Sequence, residues 1–147
     1  MKKNVVIACD RAGLELRDFL MDSREEFKEF SFTDLGPNDS GVVDYPDYAK
    51  KVVEKILSGE ANFGVLICGT GVGMSIAANR FVGIRAGLCH NSLEAKLIRE
   101  HNDANILCLG ARMIGRECAL ENLRVFLSTP FGGGRHIARI KKLDCLQ

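Results

Sequence analysis

Phe63-Gly64-Val65-Leu66-Ile67-Cys68-Gly69-Thr70-Gly71-Val72-Gly73 is the stretch on which the fold turns. Its apolar run, Val65-Leu66-Ile67, has no polar alternation and predicts a strand buried on both faces, as in parallel sheets. The strand delivers Cys68 to its carboxyl end, where Gly69, Gly71 and Gly73 predict a tight turn. Val72 to Asn79 then reads as a short helix. Ligands of open α/β sheets sit outside the carboxyl ends of the strands. A glycine turn admits a ligand close to the backbone, and a helix start offers N–H groups to an anion and favours a thiolate. This stretch therefore offers a base or nucleophile beside an anion site. Cysteine ending a buried strand is also a common packing residue, and Gly-x-Gly a common connector, so the rest of the chain must decide.

At 147 residues the chain is long enough for one domain with a substantial core, and no linker, repeat or low-complexity segment divides 1–147. Charged residues make up 27% and the net charge is +1, which argues against a nucleic-acid or membrane surface. No apolar stretch is long enough for a signal peptide or a membrane span, so a cytoplasmic location is expected. The six cysteines, Cys9, Cys68, Cys89, Cys108, Cys118 and Cys145, are never closer than ten positions. That spacing contains no C-x-x-C ligand pair and predicts reduced thiols without structural zinc.

Around the central stretch, strand and helix patterns alternate five times. Asn4–Cys9 is a β-branched run, followed by an amphipathic pattern on Leu14, Leu16, Phe19 and Leu20. A second strand is predicted at Phe30–Asp34, then a turn-rich loop, then a helix opened by Tyr45-Pro46 and ended by Gly59. Gly83–Cys89 reads as the fourth strand, with Ser92 as N-cap of a helix to about Glu100. Asn105–Leu109 reads as the fifth, followed by a helix from Gly115 to Leu127. A glycine run, Gly132-Gly133-Gly134, precedes a last helix over Arg135–Leu143. The expected architecture is a single doubly wound, Rossmann-like α/β domain, its five parallel strands in the order 2-1-3-4-5, with a C-terminal helix.

A parallel sheet brings Asp10, Cys68 and Arg112 to one edge. His101 and Asn102 precede the fifth strand and fall at the other, beyond reach within one subunit. A site shared across an interface is therefore plausible.

These residues carry a resemblance. Asp44-Tyr45-Pro46, Ile67 to Gly73 through Ile76-Ala77-Ala78-Asn79, His101-Asn102-Asp103, and Gly133-Gly134-Arg135-His136 with Arg139 stand in the order found in B-type ribose-5-phosphate isomerases. The likeness runs from Val5 to about Ile140 and extends to the wider group that includes galactose-6-phosphate isomerase subunits. It implies interconversion of ribose 5-phosphate and ribulose 5-phosphate through a cis-enediolate, without metal or redox cofactor.

By motif, the resemblance makes Cys68 the base that moves the proton between C2 and C1. The turn holding Gly69, Gly71 and Gly73 would offer N–H donors to the enediolate oxygen, and Thr70 a hydroxyl. Thr70 could equally serve as a helix cap. His101 and Asp10 would open the sugar ring, Asn102 would orient hydroxyls, and Tyr45 would line the pocket. A histidine beside Asn-Asp in a loop can also be merely solvated, and Tyr45 merely packed. Arg112, Arg135 and Arg139 would grip the phosphate, with His136 supporting its neighbours. The resemblance also implies a homodimer with sites between subunits, open to further assembly as a tetramer. It has His101, Asn102 and Arg112 crossing to a partner that carries Asp10, Cys68, Arg135 and Arg139.

One position departs from the pattern. The family usually has histidine after the first strand's aspartate; here it is Arg11, which keeps a cationic donor but cannot shed its proton near neutral pH. Substrate length stays open, because six-carbon phosphates such as allose or galactose 6-phosphate use related sites. A non-catalytic phosphate-binding module would use the turn and the arginines but leave Cys68, His101 and Asp10 without roles. A dinucleotide site has the wrong glycine spacing on the wrong strand.

Overall fold

The computed structural model describes residues 1–146. Five strands alternate with helices: β1 (Lys3–Cys9), α1 (Leu14–Asp22), β2 (Phe30–Asp34), α2 (Tyr45–Leu57), β3 (Phe63–Cys68), α3 (Val72–Ala78), β4 (Ala86–Leu88), α4 (Ser92–Asn102), β5 (Ile106–Gly110), α5 (Arg116–Ser128) and α6 (His136–Leu143). All strand pairings are parallel. Residues pointing to one face of the sheet pack with α1, α4 and α5, through Leu20, Ala95, Leu123 and Phe126. Those on the other face pack with α2 and α3, through Val52, Val53, Met74 and Ala78. Successive residues of β3 divide between the two clusters, Val65 and Ile67 on one side, Leu66 and Cys68 on the other. This is the doubly wound α/β domain expected.

The strand order corrects the expectation at its end: it is 2-1-3-5-4, not 2-1-3-4-5. The reason is burial. Every residue of β5 is buried, whereas the three residues of β4 are only half-buried. Fully burying a large apolar side chain contributes about 1.5–3 kcal/mol, so Ile106, Leu107 and Leu109 claim the central place beside β3. The short Ala86-Gly87-Leu88 segment, predicted to extend over Gly83–Cys89, is left at the edge.

Two helix ends also differ from the sequence reading. The N-cap of α4 is Asn91, whose Oδ1 accepts the Glu94 N–H at 2.9 Å; Ser92 is the first helical residue. The helix then runs past Glu100 to Asn102, so His101 and Asn102 lie in its last turn rather than in a loop. Helices α4 and α5 run antiparallel to the strands, returning the chain from the carboxyl to the amino edge of the sheet.

Candidate active site

At the carboxyl edge the chain builds a compact cluster around Cys68. Its side chain is 5% exposed and lies on the face covered by α2 and α3. The Gly71 N–H donates to Cys68 Sγ at 3.2 Å. Gly71 must be glycine here: its φ is +79°, and a Cβ would lie 2.9 Å from the Leu109 carbonyl carbon. The Val72 N–H donates to Thr70 Oγ1 at 3.2 Å, closing a side-chain turn just ahead of α3, whose N-cap is Gly71 and not Thr70. Two N–H groups of the turn are thus engaged within the chain. Gly73, in the first turn of α3, has no acceptor four residues back inside that helix.

Neighbouring strand ends close around this turn. Ala111 N–H donates to Cys68 O and Arg112 N–H to Gly69 O, both at 2.9 Å. The Arg112 side chain lies over Gly69, where a Cβ would come within 3.3 Å of its Nη1. Asp10 N–H donates to Ile67 O at 3.1 Å, and Asp10 Oδ1 accepts the Gly13 N–H at 3.3 Å, capping the turn that holds exposed Arg11. Tyr45, first residue of α2, packs its ring on Gly73, where a Cβ would stand 2.6 Å from Cε1. The loop leading to Tyr45 is anchored by buried Arg17, whose Nη1 donates to Pro37 O at 2.6 Å and Asp34 Oδ1 at 3.3 Å. Asp10, Arg11, Tyr45, Cys68, Thr70, the three glycines and Arg112 therefore share one edge.

The remaining candidates gather at the amino edge. The His101 and His136 rings stack with centroids 4.6 Å apart and planes 15° from parallel. Arg135 caps the start of α6 and Arg139 lies one turn further on, both exposed. Partial desolvation, and then the charges of Arg135, His101 and Arg139, push the His136 pKa below its ordinary value. The Gly132 N–H donates to Glu100 O at 2.9 Å, tying the glycine run to α4. Within one chain this grouping differs from the division between subunits that the resemblance implies. Arg112 belongs with Cys68, because β5 ends beside β3, and Arg135 and Arg139 belong with His101, because α5 carries the chain back to the amino edge.

Three further thiols, Cys9, Cys89 and Cys108, are buried in the core. Burial raises the pKa of Cys9 and Cys89 to about 12 and that of Cys108 as well, which holds them as neutral packing residues. Among the described residues, no three His, Cys, Asp or Glu side chains converge to hold a metal ion, and no helix is long and apolar enough to cross a membrane. Sequence reasoning passed over Arg85 and Arg99, which fix the end of α4 carrying His101 and Asn102. Arg99 could have been found, since it lies four residues before Asp103 on a helix and pairs with it at 2.9 Å. Arg85 is remote in sequence and carries no such signal.

Residues 5–143 match the ribose/galactose isomerase family. The chain is 49% identical to a putative sugar phosphate isomerase of Bacillus subtilis, over 95% of this chain and 94% of the relative. It is 39% identical to ribose-5-phosphate isomerase B of Escherichia coli, over 99% and 97% respectively. The crystal structure of a ribose 5-phosphate isomerase from Thermotoga maritima superposes with a TM-score of 0.95 at 51% identity, covering 99% of this chain and all of that one. Full-length matches at these identities place the protein among the isomerases: the chain belongs to the ribose/galactose isomerase family.

Proposed function

We propose that the protein interconverts ribose 5-phosphate and ribulose 5-phosphate, with Cys68 as the base. The observation that carries this reading is Cys68 Sγ at the carboxyl end of β3, accepting the Gly71 N–H at 3.2 Å while Arg112 lies over the adjacent Gly69. A thiolate accepts such a hydrogen bond better than a thiol does. With the ring open, Cys68 takes the C2 proton of the aldose, and the electron pair left behind forms the C1–C2 double bond. The C1 oxygen then carries the negative charge of the cis-enediolate. Turn N–H groups, Gly73 among them, face that charge. Proton transfer from O2 to O1 and return of the Cys68 proton to C1 complete the ketose. Protons alone move, and the electrons are conserved within the substrate.

Asp10 and His101 divide the ring-opening proton transfers, Asn102 orients hydroxyls, and Tyr45 walls the pocket. Arg11, Arg112, Arg135 and Arg139 hold the phosphate, each charge-assisted bond contributing about 1.5–3 kcal/mol. The two half-sites stand at opposite edges of one sheet, so a second copy must bring its amino edge to the first copy's carboxyl edge. Exposed Val72, Ile76 and Met113 beside one half-site, and exposed Ile137 beside the other, suit such an interface. A homodimer is the minimal assembly and a tetramer its doubling. The activity fits the cytoplasm and the non-oxidative pentose phosphate branch.

The test is conversion of ribose 5-phosphate by the wild type and by Cys68→Ala, each after chelator treatment. Turnover that survives the chelator and collapses in the variant supports the proposal; equal turnover in both removes Cys68 from the mechanism. Exposed Arg11, with a longer reach than histidine, favours one second reading, a six-carbon substrate. Absence of pentose turnover with conversion of allose or galactose 6-phosphate would establish it.

A further inference from the structure

Asp103 stops α4 in the left-handed region, at φ +46°, and two arginines close on it. Arg99 Nη1 donates to Asp103 Oδ1 at 2.9 Å and to Ala104 O at 2.7 Å, while its Nε donates to Thr129 O, just past α5. Arg85 Nε donates to Asn102 O at 2.9 Å and Asp103 O at 3.2 Å, and Nη1 reaches both carboxylate oxygens of Asp144 at 3.1 and 3.2 Å. Asp144 follows the last residue of α6. One guanidinium therefore joins the end of the helix carrying His101 and Asn102 to the end of the helix carrying Arg139. A lysine ammonium could not span these partners in one plane.

The start of α6 is tied to α4 separately, by the Gly132–Glu100 bond and the His101–His136 stack. An eight-residue helix is only about 12 Å long, so pinning both ends sets the direction of every side chain along it. We propose that the Arg85–Asp144 ion pair is a positioning device for substrate binding. It holds α6 at the angle that keeps Arg135 and Arg139 in register with His101 and Asn102. Neither Arg85 nor Asp144 is among the residues assigned to contact substrate; they act through the helices they join. The proposal rests on the isomerase reading for its kinetic readout but not for its structural one.

The sequence has three histidines, His90, His101 and His136, so their imidazole C2–H lines form a simple proton NMR spectrum. Mutual ring currents should set the stacked pair apart from His90. In Asp144→Ala, the KM for ribose 5-phosphate should rise about tenfold while kcat stays within about twofold, the pattern of lost binding rather than lost chemistry. The lines of His101 and His136 should move toward that of His90, and Asp144→Glu should restore both properties. Should Asp144→Ala fail to fold, Asp144→Asn and Arg85→Lys carry the same expectations. An unchanged KM with unmoved histidine lines in a folded variant, whatever its melting temperature, overturns the proposal. If the wild type does not turn over pentose phosphate, the isomerase reading fails on that account, and the histidine lines alone decide this one.

Discussion

Gly71 and Cys68 form a closed pair: the glycine N–H points at the sulfur across 3.2 Å, and the positive φ that aims it excludes a side chain at that position. Gly71→Ala should therefore destabilise the fold by about 1–2 kcal/mol from the left-handed backbone alone and more from the Leu109–Gly110 contact. It should also cost activity beyond the loss of folded protein. Urea unfolding together with turnover per folded molecule checks this. Full activity in a stable Gly71→Ala protein would detach the glycine from the chemistry.

Tyr45 rests on Gly73 with no room for a methyl group. Gly73→Ala should displace the ring, lowering kcat/KM by about ten- to a hundredfold, as small misplacements in a site do. Tyr45→Leu, which relieves the contact, should fold normally in the Gly73→Ala background. Circular dichroism and steady-state kinetics on the single and double variants separate ring placement from fold damage.

If Cys68 works with a partner's His101, two dead variants should rescue each other. Cys68→Ala mixed with Arg139→Ala, unfolded and refolded together, should regain roughly a quarter of wild-type activity, since half of the random dimers are mixed and each carries one intact site. Cys68→Ala mixed with Arg112→Ala should regain none, because both changes fall in the same half-site. Rescue by the second mixture and not the first would restore the division in which Arg112 crosses with His101.

Stability should fall in alkaline solution. In the unfolded chain, Cys9, Cys89 and Cys108 ionise near 9; in the fold, burial holds Cys9 and Cys89 protonated to about 12 and raises Cys108 too. Above pH 9 the unfolded state binds fewer protons than the native state, so stability drops as pH rises through the window from 9 to 12. The slope approaches ~1 kcal/mol per pH unit for each thiol. A melting temperature flat from pH 8.5 to 10.5 contradicts this. Alkylation at pH 8 should reach exposed Cys145 and spare Cys9, Cys89 and Cys108, and ribose 5-phosphate should protect Cys68 alone.

Arg11 keeps its charge across the working range. Substrate KM in the wild type should then show no titration from this position between pH 6 and 8. Arg11→His should introduce a rise in KM as the imidazole loses its proton near 6.5. Matching KM–pH curves for the two proteins would make Arg11 a solvated surface residue.

Much of this was legible in the residues. The run Val65-Leu66-Ile67 ends at Cys68 as read, and the helix opened by Tyr45-Pro46 begins at Tyr45. His101 and Asn102 were rightly separated from Cys68, because the direction of a parallel strand fixes which residues meet at which edge. The capping of α4 was misjudged by one residue: Asn91 and Ser92 are both good caps, and only the Asn91–Glu94 bond distinguishes them.

Strand and helix periods, and the polar residues at their ends, were determined by the sequence alone, since burial patterns repeat every two or 3.6 residues within an element. Which element lies beside which was decided by tertiary structure. β5 displaced β4 from the centre because it buries more apolar surface, and no local pattern records that competition. The same folding set Arg112 beside Cys68 and swung Arg135 and Arg139 to His101. It also joined Arg85 to Asp144, 59 positions away, because hydrogen-bonding partners distant in the chain meet only once the helices between them have packed.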